Sequence, residues 1–242
     1  MIRSAAKTLT LAASLLLAGS LASCDAAASA LEVLESAQGS AADAPAPAAA
    51  DPSLAVDVAQ ALELLQGIPV KGRAPKTGYS RDEFGPAWAD VDRNGCDTRN
   101  DILARDLTGE TFKAGTNNCV VTAGTLADKY TGATINFTRG QDTSSDVQID
   151  HIVPLSDAWQ KGAQQLSANQ RKELANDPLN LMAADGPTNS AKGDRDAATW
   201  LPPNKAFRCE YVARQTAVKA TYKLWVTQAE HDAVASILEG CR

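Results

Sequence analysis

The stretch Asp150–Leu155 reads DHIVPL and places a carboxylate directly before an imidazole. Two asparagines, Asn180 and Asn189, follow downstream. The chain contains only two histidines, and one of them is His151. Hard oxygen donors bind Mg²⁺, and an imidazole titrates near neutrality. An acid, a histidine and two amides in this order therefore offer oxygen ligands for a divalent cation and an imidazole that can act as a general base.

The residues on either side predict a strand, a second strand and a helix within about 147–196. Val147–Val153 has the apolar pattern of a strand, and Leu179–Ala183 has that of a second short strand. The turn at Asp185–Pro187 leads into a helix over Thr188–Asp196. This order of elements favours an α+β fold.

Helices are predicted at both ends of the folded part. The apolar spacing after Asp51–Pro52 predicts a helix that stops at Gly67. About the last forty residues have a helical pattern, with Thr227 and Glu230 as a capping box for the final helix. The remaining predicted elements are strands at Thr116–Val121 and Thr134–Thr138 and a helix over 156–175.

The N-terminus has the features of an export signal. Its apolar stretch, Leu9–Leu21, is too short to span a bilayer in the mature protein. Leu21–Cys24 reads LASC and resembles the lipobox of bacterial lipoproteins, in which the cysteine is lipidated and becomes the first mature residue. An ordinary secretory signal cleaved nearby is the alternative. We expect removal of residues 1–23, then either a lipid anchor at Cys24 or release.

Residues 24–50 consist mostly of Ala, Ser, Asp and Pro, a composition that predicts a disordered tether. The folded domain is then 51–242, which has room for one domain and little more. The formal net charge is −6, and loss of Arg3 and Lys7 with the signal makes it −8. An acidic chain can hold nucleic acid only through a local basic groove. The candidate groove cations are Arg139, Lys192, Arg195 and Lys205.

Four cysteines remain when Cys24 is set aside. An even set in an oxidising compartment predicts disulfides, with three possible pairings. We predict Cys96–Cys119 and Cys209–Cys241, because each pair closes a modest loop within one region of the chain. A zinc site is the alternative, but neither a C-x-x-C spacing nor a spare histidine cluster supports it.

The run DVDRNG that begins at Asp90 matches the first half of a calcium-binding loop. Its side-chain ligands would be Asp90, Asp92, Asn94 and Asp101, the last at the closing position where glutamate is usual. Cys96 occupies the position that supplies a backbone carbonyl. The run predicts a weak structural Ca²⁺ site, and the alternative is an Asp/Asn-rich turn held by Cys96.

Three aromatic residues, Tyr79, Phe84 and Trp88, interleave with Arg81 and Arg93. Aromatic and basic residues in alternation are typical of a platform on which nucleobases stack. An aromatic cluster within the core is the alternative.

The motif at Asp150–Pro154, with Asn180, Asn189 and Lys192, is similar to the HNH nuclease domain of CRISPR RNA-guided effectors. The longer run 150–203 resembles a secreted HNH endonuclease family, grouped with the C-terminal domain of GmrSD-type restriction endonucleases. We extend this resemblance from about Tyr79 to Cys241. Its specific motifs all lie between Asp150 and Asp194.

The resemblance implies a ββα-metal (HNH, or His-Me finger) core with flanking helices and disulfides. It also implies that His151 is the general base, that Asp150 and Asn189 hold the metal, and that Asn180 pins the hairpin. Lys192 lies on the same helix face as Asn189 and is expected to contact a phosphate. The family often has a second histidine where this chain has Asn189. An amide oxygen there favours Mg²⁺ or Mn²⁺ over zinc.

These observations predict an exported, Mg²⁺-dependent endonuclease that hydrolyses DNA. We expect little sequence specificity, because no helix offers an obvious set of base-reading side chains. An RNase of the same chemistry is one alternative. The other is a calcium-stabilised extracellular binding module that keeps a nuclease scaffold without catalysis.

Overall fold

The computed structural model describes residues 56–241, which form an α+β fold. The α-helices are α1 (Val58–Gly67), α2 (Thr98–Asp106), α3 (Leu155–Gln160), α4 (Ala168–Asn176), α5 (Gly186–Lys192), α6 (Arg208–Thr221) and α7 (Gln228–Glu239). The strands are β1 (Leu107–Phe112), β2 (Val121–Ala127), β3 (Thr134–Thr138), β4 (Val147–His151) and β5 (Leu181–Asp185). Short 3-10 turns at Arg81–Phe84, Ala163–Gln165 and Lys205–Phe207 complete the regular structure.

Several predictions about the N-terminus lie outside the described residues. These are the signal at 1–23, the tether at 24–50, lipidation of Cys24 and the helix start at Asp51–Pro52. All of them stay predictions. Within residues 56–241, no helix is both long enough and apolar enough to cross a bilayer.

The strands form two antiparallel sheets. One has the order β1-β2-β3, and the other is the pair β4-β5, with Asp150 opposite Met182 and His151 opposite Leu181. Helix α5 follows β5 directly. The strand, strand, helix order predicted for this region is therefore present.

Strand β5 is buried on both faces, which explains its uninterrupted apolar sequence. Leu181 and Ala183 pack in a cluster with Ile149 and residues of the three-stranded sheet. Met182 and Ala184 point to the opposite face and pack among residues of α6 and α7. The β4-β5 pair is therefore held between two apolar clusters, which fixes the end of β4.

The strand predicted at Thr116–Val121 is wrong. That segment is mostly a turn, and β2 begins only at Val121. Asn117 and Asn118 have φ values of 50° and 58°, in the left-handed region that asparagine tolerates better than most residues. Two consecutive left-handed residues cannot continue a strand. The strand at Thr134–Thr138 is confirmed as β3.

The helix predicted over 156–175 is broken into α3, a 3-10 turn and α4. Gly162 has φ of 125°, and a Cβ at this position would lie 3.2 Å from the Trp225 ring. The chain can therefore make this close turn only with glycine. Helix α4 then restarts at Ser167, whose side chain forms a reciprocal capping box with Gln170.

Both predicted disulfides, Cys96–Cys119 and Cys209–Cys241, are present. The first joins the turn before α2 to the turn before β2. The second joins α6 to the residue that follows the C-cap of α7. The alternative of a zinc site is therefore wrong for these four cysteines.

A buried network of charges connects the helices to the segments around them. Its members are Arg73, Asp157, Lys161, Asp196, Lys219 and Glu230. Lys161 Nζ lies 2.7 Å from a carboxylate oxygen of Asp196 and 2.6 Å from one of Glu230. Lys219 contacts Glu230 and lies 3.2 Å from Asp157. Because Glu230 is used here, Thr227 caps α7 without the reciprocal bond of the predicted capping box.

The three cations of this network balance its three carboxylates. Burial by itself raises the pKa of Asp196, but the hydrogen bond and charge of Lys161 and the charge of Arg73 outweigh it and bring the pKa to about 2. Burial lowers the pKa of Lys219, but the carboxylates of Glu230 and Asp157 outweigh it and raise the pKa. Asp196 and Lys219 therefore stay charged at neutral pH.

Replacing Lys161 by methionine will destabilise the fold strongly. The side chain of Lys161 is 0% exposed, so its loss leaves buried carboxylates without their shared partner. Such losses cost about 3–5 kcal/mol. Lys129→Met is the matched control, because Lys129 pairs with Glu210 at 40% and 36% side-chain exposure and should cost about 0–1 kcal/mol. Urea unfolding of both variants measures the difference, and equal costs would contradict the prediction.

Candidate active site

Asp150, His151 and Asn189 line one cleft of about 380 Å³. Asp150 and His151 are the last two residues of β4, and Asn189 lies on α5. The strand ends at His151 and the chain turns, so these two adjacent residues both reach the cleft. The structure thus brings together the predicted base and both predicted metal ligands.

Asn180 fixes the backbone immediately after His151. Its Oδ1 accepts a hydrogen bond from the backbone N–H of Val153 at 2.8 Å, and its Nδ2 donates to the carbonyl of Leu174 at 3.2 Å. The backbone N–H of Ile152 donates to the Asn180 carbonyl at 2.7 Å. Asn180 is fully buried and contacts backbone atoms rather than the cleft.

Lys192 lies beneath the Asp150 carboxylate. Its Nζ is 3.0 Å from Asp150 Oδ1 and 2.8 Å from Oδ2, and it also donates to the His151 carbonyl at 2.7 Å. The hydroxyl of Tyr130 donates to Asp150 Oδ2. Lys192 and Tyr130 are both 0% exposed. In this arrangement Lys192 orients Asp150 from below, whereas the sequence suggested that it faces a phosphate.

The His151 ring is held by one hydrogen bond and one aromatic contact. Its Nε2 lies 2.9 Å from the carbonyl oxygen of Ala175. A carbonyl only accepts, so Nε2 must carry the proton and, in the neutral ring, Nδ1 carries the free lone pair. The Trp88 ring stacks on the imidazole at 5.9 Å between centroids and 14° between planes.

The surroundings of His151 favour its neutral form. Burial lowers its pKa to about 4; Arg81 and Lys192 act in the same direction, while Asp150 and the Ala175 carbonyl oppose them. At neutral pH the imidazole is therefore unprotonated at Nδ1 and able to accept a proton.

Asp150 and Asn189 both offer an oxygen suited to a hard cation. Asp150 Oδ2 accepts from both Tyr130 and Lys192, whereas Oδ1 accepts, among residues 56–241, only from Lys192 and keeps one lone pair. Asn189 Nδ2 donates to Gln148 Oε1 at 2.9 Å, which sets the amide and leaves its Oδ1 unbonded within the described residues. This pair of oxygens fits Mg²⁺ or Mn²⁺, while the ammonium of Lys192 opposes a second cation at Asp150.

Within residues 56–241, no three His, Cys, Asp or Glu side chains converge where they could hold a metal ion. A metal in this cleft would therefore take most of its ligands from water and substrate. Mg²⁺ is commonly bound in this way, through one or two protein oxygens.

The predicted calcium loop is organised by the side chain of Asn94. Its Nδ2 donates to Asp92 at 3.0 Å and to Asp101 at 3.1 Å, and its Oδ1 accepts from the Cys96 backbone at 2.7 Å. Asp90 accepts from the backbone N–H of Asn94 at 3.2 Å. The proposed ligands thus bond to one another, and Ca²⁺ binding stays a prediction.

Most of the cations expected to form a groove lie elsewhere. Arg139 is used internally, donating to Asn100 and to the Val121 carbonyl. Neither Arg195 nor Lys205 lines the cleft, and the cations of the described chain that do are Lys76 and Arg81.

The aromatic residues of the predicted stacking platform separate in the structure. Tyr79 and Phe84 pack edge-on or tilted against Trp159 in an apolar cluster, which matches the alternative of a core cluster. Trp88 lies apart from this cluster, and its ring stacks on the imidazole of His151.

Sequence reasoning missed Tyr130, Gln148 and the carbonyl of Ala175. Gln148 lies two residues before Asp150, so strand alternation alone places it on the same side. Tyr130 comes from the turn between β2 and β3, and its sequence context gives no signal beyond an aromatic residue in a turn. A backbone carbonyl such as that of Ala175 leaves no trace in a sequence.

The chain belongs to the family of GmrSD restriction endonuclease C-terminal domains. The sequence pattern of this family matches residues 97–237. The match starts later than Tyr79, from which the resemblance was extended, and includes every residue of the Asp150–Asp194 motifs. The chain is also 38% identical over 199 residues to an "Uncharacterized secreted protein" of Arthroderma benhamiae, covering 81% of this chain and 92% of that protein. No solved structure is significantly similar.

The tautomer and charge of His151 can be measured directly by long-range ¹H–¹⁵N NMR of the metal-free protein. We expect a neutral ring with its proton on Nε2 at pH 7, still neutral at pH 5.5, because the pKa is lowered to about 4. The only other histidine is His231, so a His231→Gln variant assigns the signals. A proton on Nδ1, or a charged ring at pH 6, would contradict this.

The same shift makes stability depend on pH. The unfolded chain binds a proton at His151 near pH 6.5, whereas the folded chain binds it only near pH 4. The low pKa of His151 in the folded state therefore adds to the free energy of unfolding in full above about pH 6.5. This added stability decreases as the pH falls from 6.5 towards 4, because protons then bind the unfolded chain preferentially. His151→Gln should flatten that part of the stability curve.

Proposed function

We propose that the protein is an exported, divalent-metal-dependent HNH endonuclease that hydrolyses DNA. The observation that carries this proposal is that His151, Asp150 and Asn189 line one cleft. Membership of a restriction endonuclease family supports a nucleic acid as the substrate. The order of β4, β5 and α5, a strand, a strand and a helix, supports the ββα-metal core that the resemblance implies.

In the proposed reaction His151 acts as the general base. Its Nδ1 takes a proton from a water molecule, whose oxygen forms a bond to phosphorus while the bond from phosphorus to the 3′ oxygen breaks. The leaving 3′ oxygen takes a proton from solvent and His151 returns its proton to solvent, so the products are a 5′-phosphate and a 3′-hydroxyl, as the resemblance implies. Ala175 and Trp88 contact the ring and keep it in one orientation, and Asn180 fixes the backbone that follows it.

Asp150 Oδ1 and Asn189 Oδ1 would hold the metal, Mg²⁺ or Mn²⁺. When bound, such an ion stabilises negative charge on the phosphate and on the leaving oxygen. Tyr130 and Lys192 would hold the Asp150 carboxylate in the orientation that presents Oδ1.

We place this activity outside the cytoplasm. The two disulfides are typical of an oxidising compartment, and the relative from Arthroderma benhamiae is described as secreted. Anchoring through a lipid on Cys24 belongs to the proposal as one of two routes, with release as the other.

Cleavage of supercoiled plasmid by the purified, oxidised protein tests the proposal. We expect nicking in Mg²⁺ or Mn²⁺ and none in EDTA. His151→Ala should lower the rate by about 10²–10⁴-fold, the usual contribution of a general base. His231→Ala is the matched control, because this second histidine lies on α7, outside the cleft, and should cut at the wild-type rate.

Two outcomes would overturn the mechanism. Nicking by His151→Ala at the wild-type rate would show that His151 is not the general base. Tight DNA binding without turnover would favour the non-catalytic binding module. Matched single-stranded and double-stranded DNA and RNA substrates in the same assay separate a DNase from an RNase.

Asn189 offers a direct test of the metal site. Asn189→Ala removes one proposed oxygen ligand and should raise the Mg²⁺ concentration needed for half-maximal cleavage about tenfold or more. Asn189→Asp keeps an oxygen at the same place, so the Mg²⁺ concentration needed for half-maximal cleavage should stay as low as in the wild type or lower. Asn189 is only partly buried, so both variants should fold, which thermal unfolding checks.

Direct Mn²⁺ binding, followed by water proton relaxation, supplies a readout independent of cleavage. Affinity should follow the order Asp, Asn and then Ala at position 189. Equal Mn²⁺ affinity for Asn189→Ala and the wild type would show that Asn189 is not a ligand.

A further inference from the structure

Residues 76–88 form an arm beside the catalytic cleft. They precede residues 97–237, which match the family domain, so the arm adds a wall to the cleft from outside that domain. Lys76, Tyr79 and Arg81 of the arm line the cleft together with the proposed base and metal ligands. Both cations that line the cleft in the described chain thus belong to the arm. The arm is therefore the part of the site that can attract a phosphate backbone.

The arm is anchored to two helices of the domain. The indole N–H of Trp159, on α3, donates to the Thr77 carbonyl at 3.3 Å. Arg171, on α4, donates to the carbonyl oxygen of Glu83 at 2.6 Å and to its carboxylate at 3.0 Å. These contacts hold the backbone of the arm, so the cations that it carries lie at defined places along the cleft.

Arg81 lies at the end of the cleft nearest His151. It is exposed, and it lines both the cleft and a smaller cavity that His151 also lines. Within residues 56–241 its side chain forms no hydrogen bond or ion pair, although Asp82 and Glu83 follow it directly. A guanidinium binds a phosphate through two parallel N–H donors. Arg81 can therefore bind a phosphate next to the base.

Lys76 lies towards the loop after α5, and its Nζ is 3.2 Å from the carboxylate of Asp194. The two side chains are 51% and 53% exposed. Asp194 also accepts from the Ser156 hydroxyl at 3.1 Å, so it keeps one partner when Lys76 leaves. Exposed ion pairs contribute little to stability, and a phosphate offers Lys76 a negative charge like that of the carboxylate. The pair can therefore open for a phosphate at small cost.

We infer that the arm is the phosphate-binding element of the active site. Arg81 binds the phosphate beside His151, and Lys76 exchanges Asp194 for a neighbouring phosphate of the same strand. Asp194 thus competes with the substrate and limits how tightly the cleft holds nucleic acid. This inference rests on the proposed nucleic-acid substrate and names the residues that hold it.

The test is the binding of a fluorescein-labelled, single-stranded DNA oligonucleotide, measured by anisotropy in EDTA over a series of salt concentrations. Each phosphate contact contributes about 0.7 to the slope of log affinity against log salt concentration. Arg81→Gln should lower the slope by that amount, whereas Arg81→Lys keeps the charge and should keep the slope. Lys113→Gln is the matched control and should bind as the wild type does, because Lys113 is exposed after β1 and lines neither cavity.

Asp194→Asn tests the exchange at Lys76. The asparagine can still accept from Ser156, but it no longer holds the lysine by charge, so affinity for the oligonucleotide should rise about two- to fivefold. Lys76→Gln alone should weaken binding and lower the salt slope. In the Lys76→Gln background, Asp194→Asn should lose this gain, because the cation that it releases is absent.

An unchanged salt dependence in Arg81→Gln, or no binding by the wild type, would overturn the role of the arm. An equal gain from Asp194→Asn with and without Lys76 would overturn the exchange. All three substituted side chains are exposed, so the variants should fold, which thermal unfolding checks.

Plasmid cleavage in Mg²⁺ reads the proposed function separately. Binding that follows these predictions without cleavage would remove the hydrolase and keep the arm. Cleavage by a protein whose DNA binding is unaffected by the variants would keep the hydrolase and remove the arm.

Discussion

The buried carboxylate of Asp150 is the constraint on which the rest of the site depends. A carboxylate that is 6% exposed has lost most of its hydrating water, so donors from the protein must replace that water. Lys192 supplies a full positive charge and Tyr130 a hydroxyl. One donor comes from α5 and the other from the turn between β2 and β3. A single charge therefore fastens both elements to the end of β4.

Ion pairs also fix the end of α5 and the loop that follows it. Lys192 pairs with Asp150, Asp194 pairs with Lys76, and Asp196 joins the buried network around Lys161. Alternate residues of one short segment are thus anchored to three different parts of the chain. Asn189 lies one turn earlier on the same helix, so its position relative to His151 follows from these pairs. The pairs made by Lys192 and Lys161 are buried and costly to break, whereas the exposed pair of Lys76 with Asp194 contributes little.

How much could be predicted depended on whether the cause of a feature was local. The bounds of β3 and both disulfides were predicted because strand alternation and loop length leave a direct sequence signal. The break at Gly162 was missed because it depends on Trp225, more than sixty residues away. Glu230 was assigned to a local capping box, whereas its carboxylate pairs with Lys161 and Lys219. Long-range ion pairs leave no periodic trace, so propensity alone favoured the local partner.

The candidate site shows the same division between local and distant causes. Asp150, His151 and Asn189 could be found because their order and spacing form a motif, and the structure places all three on one cleft. The atoms that orient the imidazole could not be found. They are a carbonyl at the end of α4 and an indole from a segment some sixty residues upstream. Neither has a fixed spacing from the motif, and both act only once the chain is folded.

The charge of the chain limits how such a site can hold a polyanion. The protein carries a formal charge of −6, so its overall field repels a phosphate backbone and attraction must come from nearby groups. Of the two cations that line the cleft, Lys76 is already neutralised by Asp194. Lys192 forms an ion pair with Asp150. Arg81 remains, so the proposed substrate would be held at short range through one or two phosphates beside His151. Such binding would be weak and release fast, which suits the proposed endonuclease better than a protein that coats DNA.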